Sequence, residues 1–132
     1  MRILLITTLL FISHVAVGQT CIGGTEDTGK NGHSYCFSNI SMNWWAAHQW
    51  CQSNKRHLAT VWEACDSLPN TLSAYCSNIG GIGTSQHGSS PWSLWTSVSK
   101  DISTAYAVSG HHGSLLTGFN FEKSSDMQAL CY

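Results

Sequence analysis

The sequence predicts an α+β domain with a small antiparallel sheet, stapled by disulfides, and three observations predict it. Two segments with helical spacing precede four short β-prone runs, and all six cysteines come after a segment with the features of an export signal. With that signal set aside, the chain of 132 residues fits one domain at the usual ~100–200 residues. No internal repeat divides it.

The signal comes first. Met1-Arg2 gives a charged start, residues 3–12 are apolar except Thr7 and Thr8, and Ala16-Val17-Gly18 supplies small residues for cleavage. The apolar run is too short to span a bilayer, and no second apolar stretch of ~20 residues occurs after it. Residues 1–18 therefore read as a secretory signal peptide and 19–132 as the mature domain, exported rather than inserted in a membrane.

The stretch CIGGTEDTGKNGHS, residues 21–34, is polar and glycine-rich and reads as a loop or open hairpin. Tyr35-Cys36-Phe37 is the first strand-like stretch, and Ser41 or Asn43 can cap a helix beginning just after them. The run NWWAAHQWCQSN sets Trp44, Ala47 and Cys51 on one helical face with Trp50 beside them, an amphipathic helix of about three turns. Asn54 is the expected stop, since asparagine tolerates the left-handed conformation. Thr60 and Glu63 have the spacing of a capping box, so a short second helix starts at Thr60 and ends before Pro69. Residues 77–91, SNIGGIGTSQHGSSP, lack apolar periodicity and read as a long surface loop. Four β-prone runs come next at 92–98, 105–109, 114–119 and 127–132, with residues 110–113 as a hairpin turn.

Removing the signal removes Arg2, which leaves Lys30, Lys55, Arg56, Lys100 and Lys123 against seven acidic residues. There is no basic stripe, so nucleic acid and anionic membrane are not expected partners. Cys21, Cys36, Cys51, Cys65, Cys76 and Cys131 form an even set in a short exported chain, which reads as a disulfide framework with fifteen possible connectivities. No C-x-x-C pair points to zinc. Asn39-Ile40-Ser41 has the spacing of a glycosylation acceptor.

Two blocks carry a family resemblance. SYCFSNISMNWWAAHQWCQSNKRHLATVWEAC and LWTSVSKDISTAYAVSGHHGSLLTGFNFEKSSDMQALCY together resemble the C-type lectin-like domain in its compact bacterial branch. The first is similar to that family's strand, cysteine-terminated helix and Leu-Ala-Thr entry into helix two; the second is similar to its closing strands and terminal Ala-Leu-Cys. The resemblance covers most of the mature chain. It implies that Cys51 near the end of the first helix pairs with Cys131 in the last strand, with Cys21–Cys36 and Cys65–Cys76 as the favoured remaining bridges. In the chain-entropy model a ~15-residue loop closed by a bridge stabilises by ~3 kcal/mol and one five times longer by somewhat over 4. Two departures stand out. Lys55 occupies the place where the family commonly has glycine, so Asn54 is expected to take the turn. The calcium-holding tripeptides of sugar-binding members are missing, because Leu68-Pro69-Asn70 lies too early and lacks a carboxylate or amide before the proline. Neither calcium nor another cofactor is expected.

The resemblance implies non-covalent recognition of a carbohydrate or protein ligand by a strand-and-loop face. If Ala105 and Ala107 point inward, Tyr106, Ser109, His111, Ser114, Thr117 and Asn120 lie on or near one open face, with Ser99, Lys100 and Asp101 along its margin and Trp92 at the loop rim. Small polar and aromatic residues give adaptable hydrogen bonding around rigid anchors. Trp44, Trp50 and Trp95 fall at core positions, whereas Trp45 and Trp92 have weaker reasons to be buried. His111, His112 and His87 read as exposed turn and loop residues rather than metal ligands. No nucleophile elbow or ordered triad is present, and the cysteine pair of formylglycine-generating relatives is unmatched, so catalysis is not expected. The rival readings are a cell-surface or pilus-associated adhesin or variable receptor that binds protein with the same face, and a structural subunit without a small ligand.

Overall fold

The computed structural model describes residues 20–68, 76–79, 92–111 and 114–132. The expected signal peptide, Pro69, nearly all of the long loop with His87, and His112-Gly113 of the hairpin turn lie outside the described residues. The elements are β1 Gly24–Thr28, β2 Ser34–Met42, α1 Trp44–Ser53, α2 Val61–Cys65, β3 Trp92–Ser99, β4 Thr104–His111, β5 Ser114–Glu122 and β6 Met127–Cys131.

Both helices arise from local chemistry. The Asn43 side chain accepts the Ala46 N–H at 2.9 Å and caps α1, satisfying one of the orphan donors at a helix start. Ala47 and Cys51 are buried on its inner face, with Trp44 and Trp50 packed beside them. The stop differs from expectation. Asn54 has φ −86°, and it is Lys55 that takes the left-handed conformation, at φ 56°. Asn54 is instead occupied as a clamp: its Oδ1 accepts the Ile22 N–H at 2.7 Å and its Nδ2 donates to the Trp50 carbonyl at 3.1 Å. In α2 the Thr60 hydroxyl accepts the Glu63 N–H at 3.0 Å and the Glu63 carboxylate accepts the Thr60 N–H at 2.7 Å, the reciprocal box its spacing predicts.

The sheet has six strands in the order β1-β2-β6-β3-β4-β5. It is mixed, not purely antiparallel: β3 and β6 run parallel, with Leu94 opposite Gln128 and Trp95 opposite Ala129. The final strand inserts between β2 and β3, so neither of its neighbours is adjacent in sequence and a reading from local hairpins misses the pairing. Of the two readings of residues 21–34, loop or open hairpin, the structure has the hairpin, with β1 as its first strand. GTEDT is a short, polar edge strand paired from Gly24–Ser38 to Thr28–Ser34, and short charged edges resist unwanted strand addition. Gly24 is required there, since a Cβ would lie 2.2 Å from the Phe37 carbonyl oxygen.

Both faces of the sheet are covered. On one, Trp95, Ala105, Ala107, Met127, Ala129 and Cys131 pack under α1. On the other, Tyr35, Phe37, Leu94, Val108 and Leu130 pack against Val61, Ala64 and Cys65 of α2 and against Ile79. β6 is thus buried on both sides, as a central strand must be. Three disulfides lock this arrangement: Cys21–Cys36, Cys51–Cys131 and Cys65–Cys76. The middle one ties α1 to β6 across 80 residues.

Candidate functional site

The turn between β3 and β4 is built around Asp101. Its carboxylate accepts the N–H groups of Ser103 and Thr104 at 2.9 and 2.7 Å and their hydroxyls at 3.1 and 2.6 Å. These donors, the Thr104 hydroxyl foremost, hold the Asp101 carboxyl far below the usual carboxylate range, because each favours the charged form. The Ser99 hydroxyl donates to the Asp101 carbonyl at 2.7 Å. Lys100 reaches across to β5, where its Nζ lies 3.4 Å from Asn120 Oδ1.

Beneath the turn sits Lys123, which is only 6% exposed. Its ammonium donates to Ser99 Oγ at 2.8 Å and to the carbonyls of Asp101 at 2.8 Å and Ile102 at 3.3 Å. The same Nζ stands 4.6 Å from the centroid of the Trp44 ring, close enough for cation–π attraction. Its backbone joins the same knot, donating to the Ser103 carbonyl at 2.7 Å and accepting the Trp44 N–H at 2.9 Å. Next to it, the His48 ring lies 4.2 Å from Trp44 with its Nε2 buried and lacking a hydrogen-bond partner among the described residues. Burial first, and the Lys123 charge second, push its pKa below the ordinary value, so the imidazole is neutral at physiological pH. A buried ammonium therefore fixes the turn from below to the start of α1. Above it, Ile102 is 93% exposed at the tip, and Trp45, the residue after Trp44, is 51% exposed.

The structure does not bring the ten residues expected at the ligand face together in one place. Ser99, Lys100 and Asp101 are exposed in the turn, and Asn120 is exposed beside them on β5. Tyr106 is the cross-strand partner of Asn120, but its side chain is half-buried against Val108 and the α2-side core, so it is not freely open. Ser109 projects to the opposite face, that of Ala107, where its hydroxyl meets Ser93 Oγ at 3.0 Å. Trp92, His111, Ser114 and Thr117 are placed by backbone register toward the far end of the hairpin, with Trp92 opposite Gly110 and His111 opposite Ser114. From Thr104 to His111 is seven residue steps, about 23 Å at strand rise. One continuous face through all ten is therefore not what the register gives. Sequence reasoning missed Lys123 and Ile102. Both lie in the intervals between the β-prone runs, and neither motif nor periodicity marks them.

Just past the end of β6, Tyr132 is surrounded by His33, Tyr35 and His57 at ring distances of 5.0, 5.3 and 5.7 Å. His57 Nε2 lies 2.9 Å from Glu63 Oε1. Burial alone would raise the Glu63 pKa, but the Thr60 N–H, His57 and the Thr60 hydroxyl outweigh it and hold the carboxyl below its ordinary value. These contacts belong to the α2 cap and the core. Among the described residues, no three or more His, Cys, Asp or Glu side chains are grouped to hold a metal ion, and no helix is long and apolar enough to cross a membrane.

No protein-family model matches the chain, and a search of curated proteins found no match. What the structure establishes is a small α+β domain with two helices, a mixed six-stranded sheet and three disulfides, a bridge content that points to an oxidising, extracellular-type environment.

Proposed function

We propose that this chain is a secreted, calcium-independent recognition module of C-type lectin-like type, which binds a carbohydrate or protein ligand non-covalently with the β3–β4 turn and the adjoining β5 surface. The observation that carries the reading is the turn itself: Ser99, Lys100, Asp101 and Ile102 are exposed, yet the turn is fixed by the Asp101 hydrogen bonds and the buried Lys123 ammonium, with exposed Asn120 held beside it by the β4–β5 pairing. A surface ordered before binding loses little conformational freedom on association, so a few polar contacts yield useful affinity. Ile102 serves as the apolar anchor and Lys100, Asp101 and Asn120 as the orienting polar groups. The six cysteines are all bridged, which leaves no thiol for covalent chemistry.

The exposed Ile102 also supports protein recognition of the adhesin or variable-receptor kind, since an aliphatic tip fits an apolar pocket better than a sugar hydroxyl. The oxidised mature domain on a glycan array, with and without EDTA, separates the possibilities. Sugar-specific binding that survives EDTA and falls about tenfold, roughly 1.4 kcal/mol, in Asn120→Ala supports the carbohydrate form. Silence on glycans together with capture of one protein, lost in Ile102→Ser, supports the protein form. Retention of every interaction in both variants overturns the assignment of this surface, and silence in both formats favours a structural subunit.

A further inference from the structure

We propose that Asn39 is the acceptor of an N-linked oligosaccharide, a modification independent of the ligand-binding reading. Asn39-Ile40-Ser41 is the only Asn-x-Ser/Thr triplet in the sequence, and its middle residue is not proline. The structure adds what the triplet alone lacks. Between Phe37 and Ser41 the β2 ladder slips against β6: Phe37 faces Leu130 but Ser41 faces Gln128, so four steps along β2 match two along β6. Ser38 fills the gap in place of the regular ladder. Its hydroxyl accepts the Ala129 N–H at 2.8 Å and donates to the Ile40 carbonyl at 2.7 Å, and its carbonyl accepts the Gln128 amide at 2.7 Å. A bulge of this kind pushes its extra residues out of the sheet, and Asn39, Ile40 and Ser41 are all exposed.

The amide of Asn39 is held in a form suited to carrying a sugar. Its Oδ1 accepts a hydrogen bond from the Thr25 hydroxyl at 3.2 Å, while Nδ2 bonds to no described residue. Glycosylation keeps that carbonyl oxygen and uses the free nitrogen, so the folded structure accommodates the product without losing a contact. The three bridges point to an oxidising compartment, and the endoplasmic reticulum lumen, where such transfer occurs, is one of these. In the step itself, the Asn39 Nδ2 attacks the anomeric carbon of a lipid-pyrophosphate-linked oligosaccharide. A nitrogen–carbon bond forms, the bond from that carbon to the pyrophosphate oxygen breaks, the lipid pyrophosphate leaves and one amide proton passes to a base of the transferase. Nothing is oxidised or reduced.

The test is secretion of the full chain, with its own first residues, from a eukaryotic host, then intact mass measurement before and after treatment with a peptide-N-glycosidase. The expected product carries one oligosaccharide, lost on treatment with conversion of the asparagine to aspartate. Asn39→Gln and Ser41→Ala lose the added mass, and Ser41→Thr keeps it. Should Asn39→Gln fail to be secreted, Ser41→Ala gives the same readout with the asparagine intact. Secreted wild-type protein with its disulfides formed and no added mass overturns the proposal, as does added mass that persists in Ser41→Ala.

Discussion

Lys55 is an L-residue held at φ 56° immediately after a helix, a conformation that costs about 1–2 kcal/mol for any residue with a Cβ. Glycine removes that strain but gives up about 0.5–1 kcal/mol of backbone entropy. Lys55→Gly is therefore expected to stabilise the domain by about 1 kcal/mol, read from the midpoint of urea unfolding; an unchanged or lower midpoint contradicts the strain. Lys123 acts in the other direction. Removing a charged donor from three oxygen acceptors costs about 1.5–3 kcal/mol, so Lys123→Met is expected to destabilise by about that amount and to loosen the 99–104 turn, seen as faster amide exchange at Ser103 and Thr104. Asp101 carries a pH signature. Its carboxyl titrates below the unfolded value of about 3.9, so its contribution is fully present above that pH and fades as pH falls through the lower folded value. The Ser103 and Thr104 amide resonances are expected to hold their positions while ordinary aspartates titrate near pH 4. Movement of both with a midpoint near 3.9 contradicts the hydrogen-bond count at this carboxylate.

Among the elements, α2 is the most dependent on its cap, because five residues contain little helix to propagate. Thr60→Ala breaks the reciprocal box and is expected to cost about 1 kcal/mol, measured by the shift in thermal or urea midpoint, whereas a change under about 0.3 kcal/mol would show the packing of Val61, Ala64 and Cys65 to be sufficient alone. This helix is legible in the sequence since Thr60, Glu63 and the apolar positions state it within six residues. So is α1, with Asn43 before it and Ala47 and Cys51 one turn apart, and so are the last four strands. β1 is not. Its GTEDT carries no apolar alternation, and what makes it a strand is the neighbouring β2, together with the Cys21–Cys36 bridge that holds its start. The left-handed stop of α1 falls one residue later than residue types suggest, because Asn54 is the better left-handed residue by type, while the fold commits its side chain to Ile22 and Trp50.

For the molecule as a whole, the two-sided burial of β6 decides the architecture. Met127, Ala129 and Cys131 face α1 while Leu130 faces α2, so the last residues in the sequence join the two cores. Such long-range insertion leaves no local signature, which is why the parallel β3–β6 pairing escapes the sequence whereas the cysteine pairs, through the family resemblance, do not. The surface shows the same division: exposed turn residues such as Ser99, Lys100 and Asp101 can be named from the sequence, and the two-residue alternation of a strand already sets Ser109 on the face opposite Tyr106, but the burial of Lys123 beneath the turn depends on tertiary packing. The Cys51–Cys131 bridge closes this arrangement across 80 residues, and its removal in a Cys51→Ala, Cys131→Ala variant is expected to cost about 4 kcal/mol, a large share of the ~5–15 kcal/mol that holds small domains together. The bridge itself can be read by proteolytic peptide mapping of the intact, non-reduced protein with mass spectrometry. A linked pair of peptides containing Cys51 and Cys131, released only by reduction, is expected; Cys51 joined to Cys36 or Cys65, or Cys131 found as a free thiol, would refute the closure of the domain by its last strand.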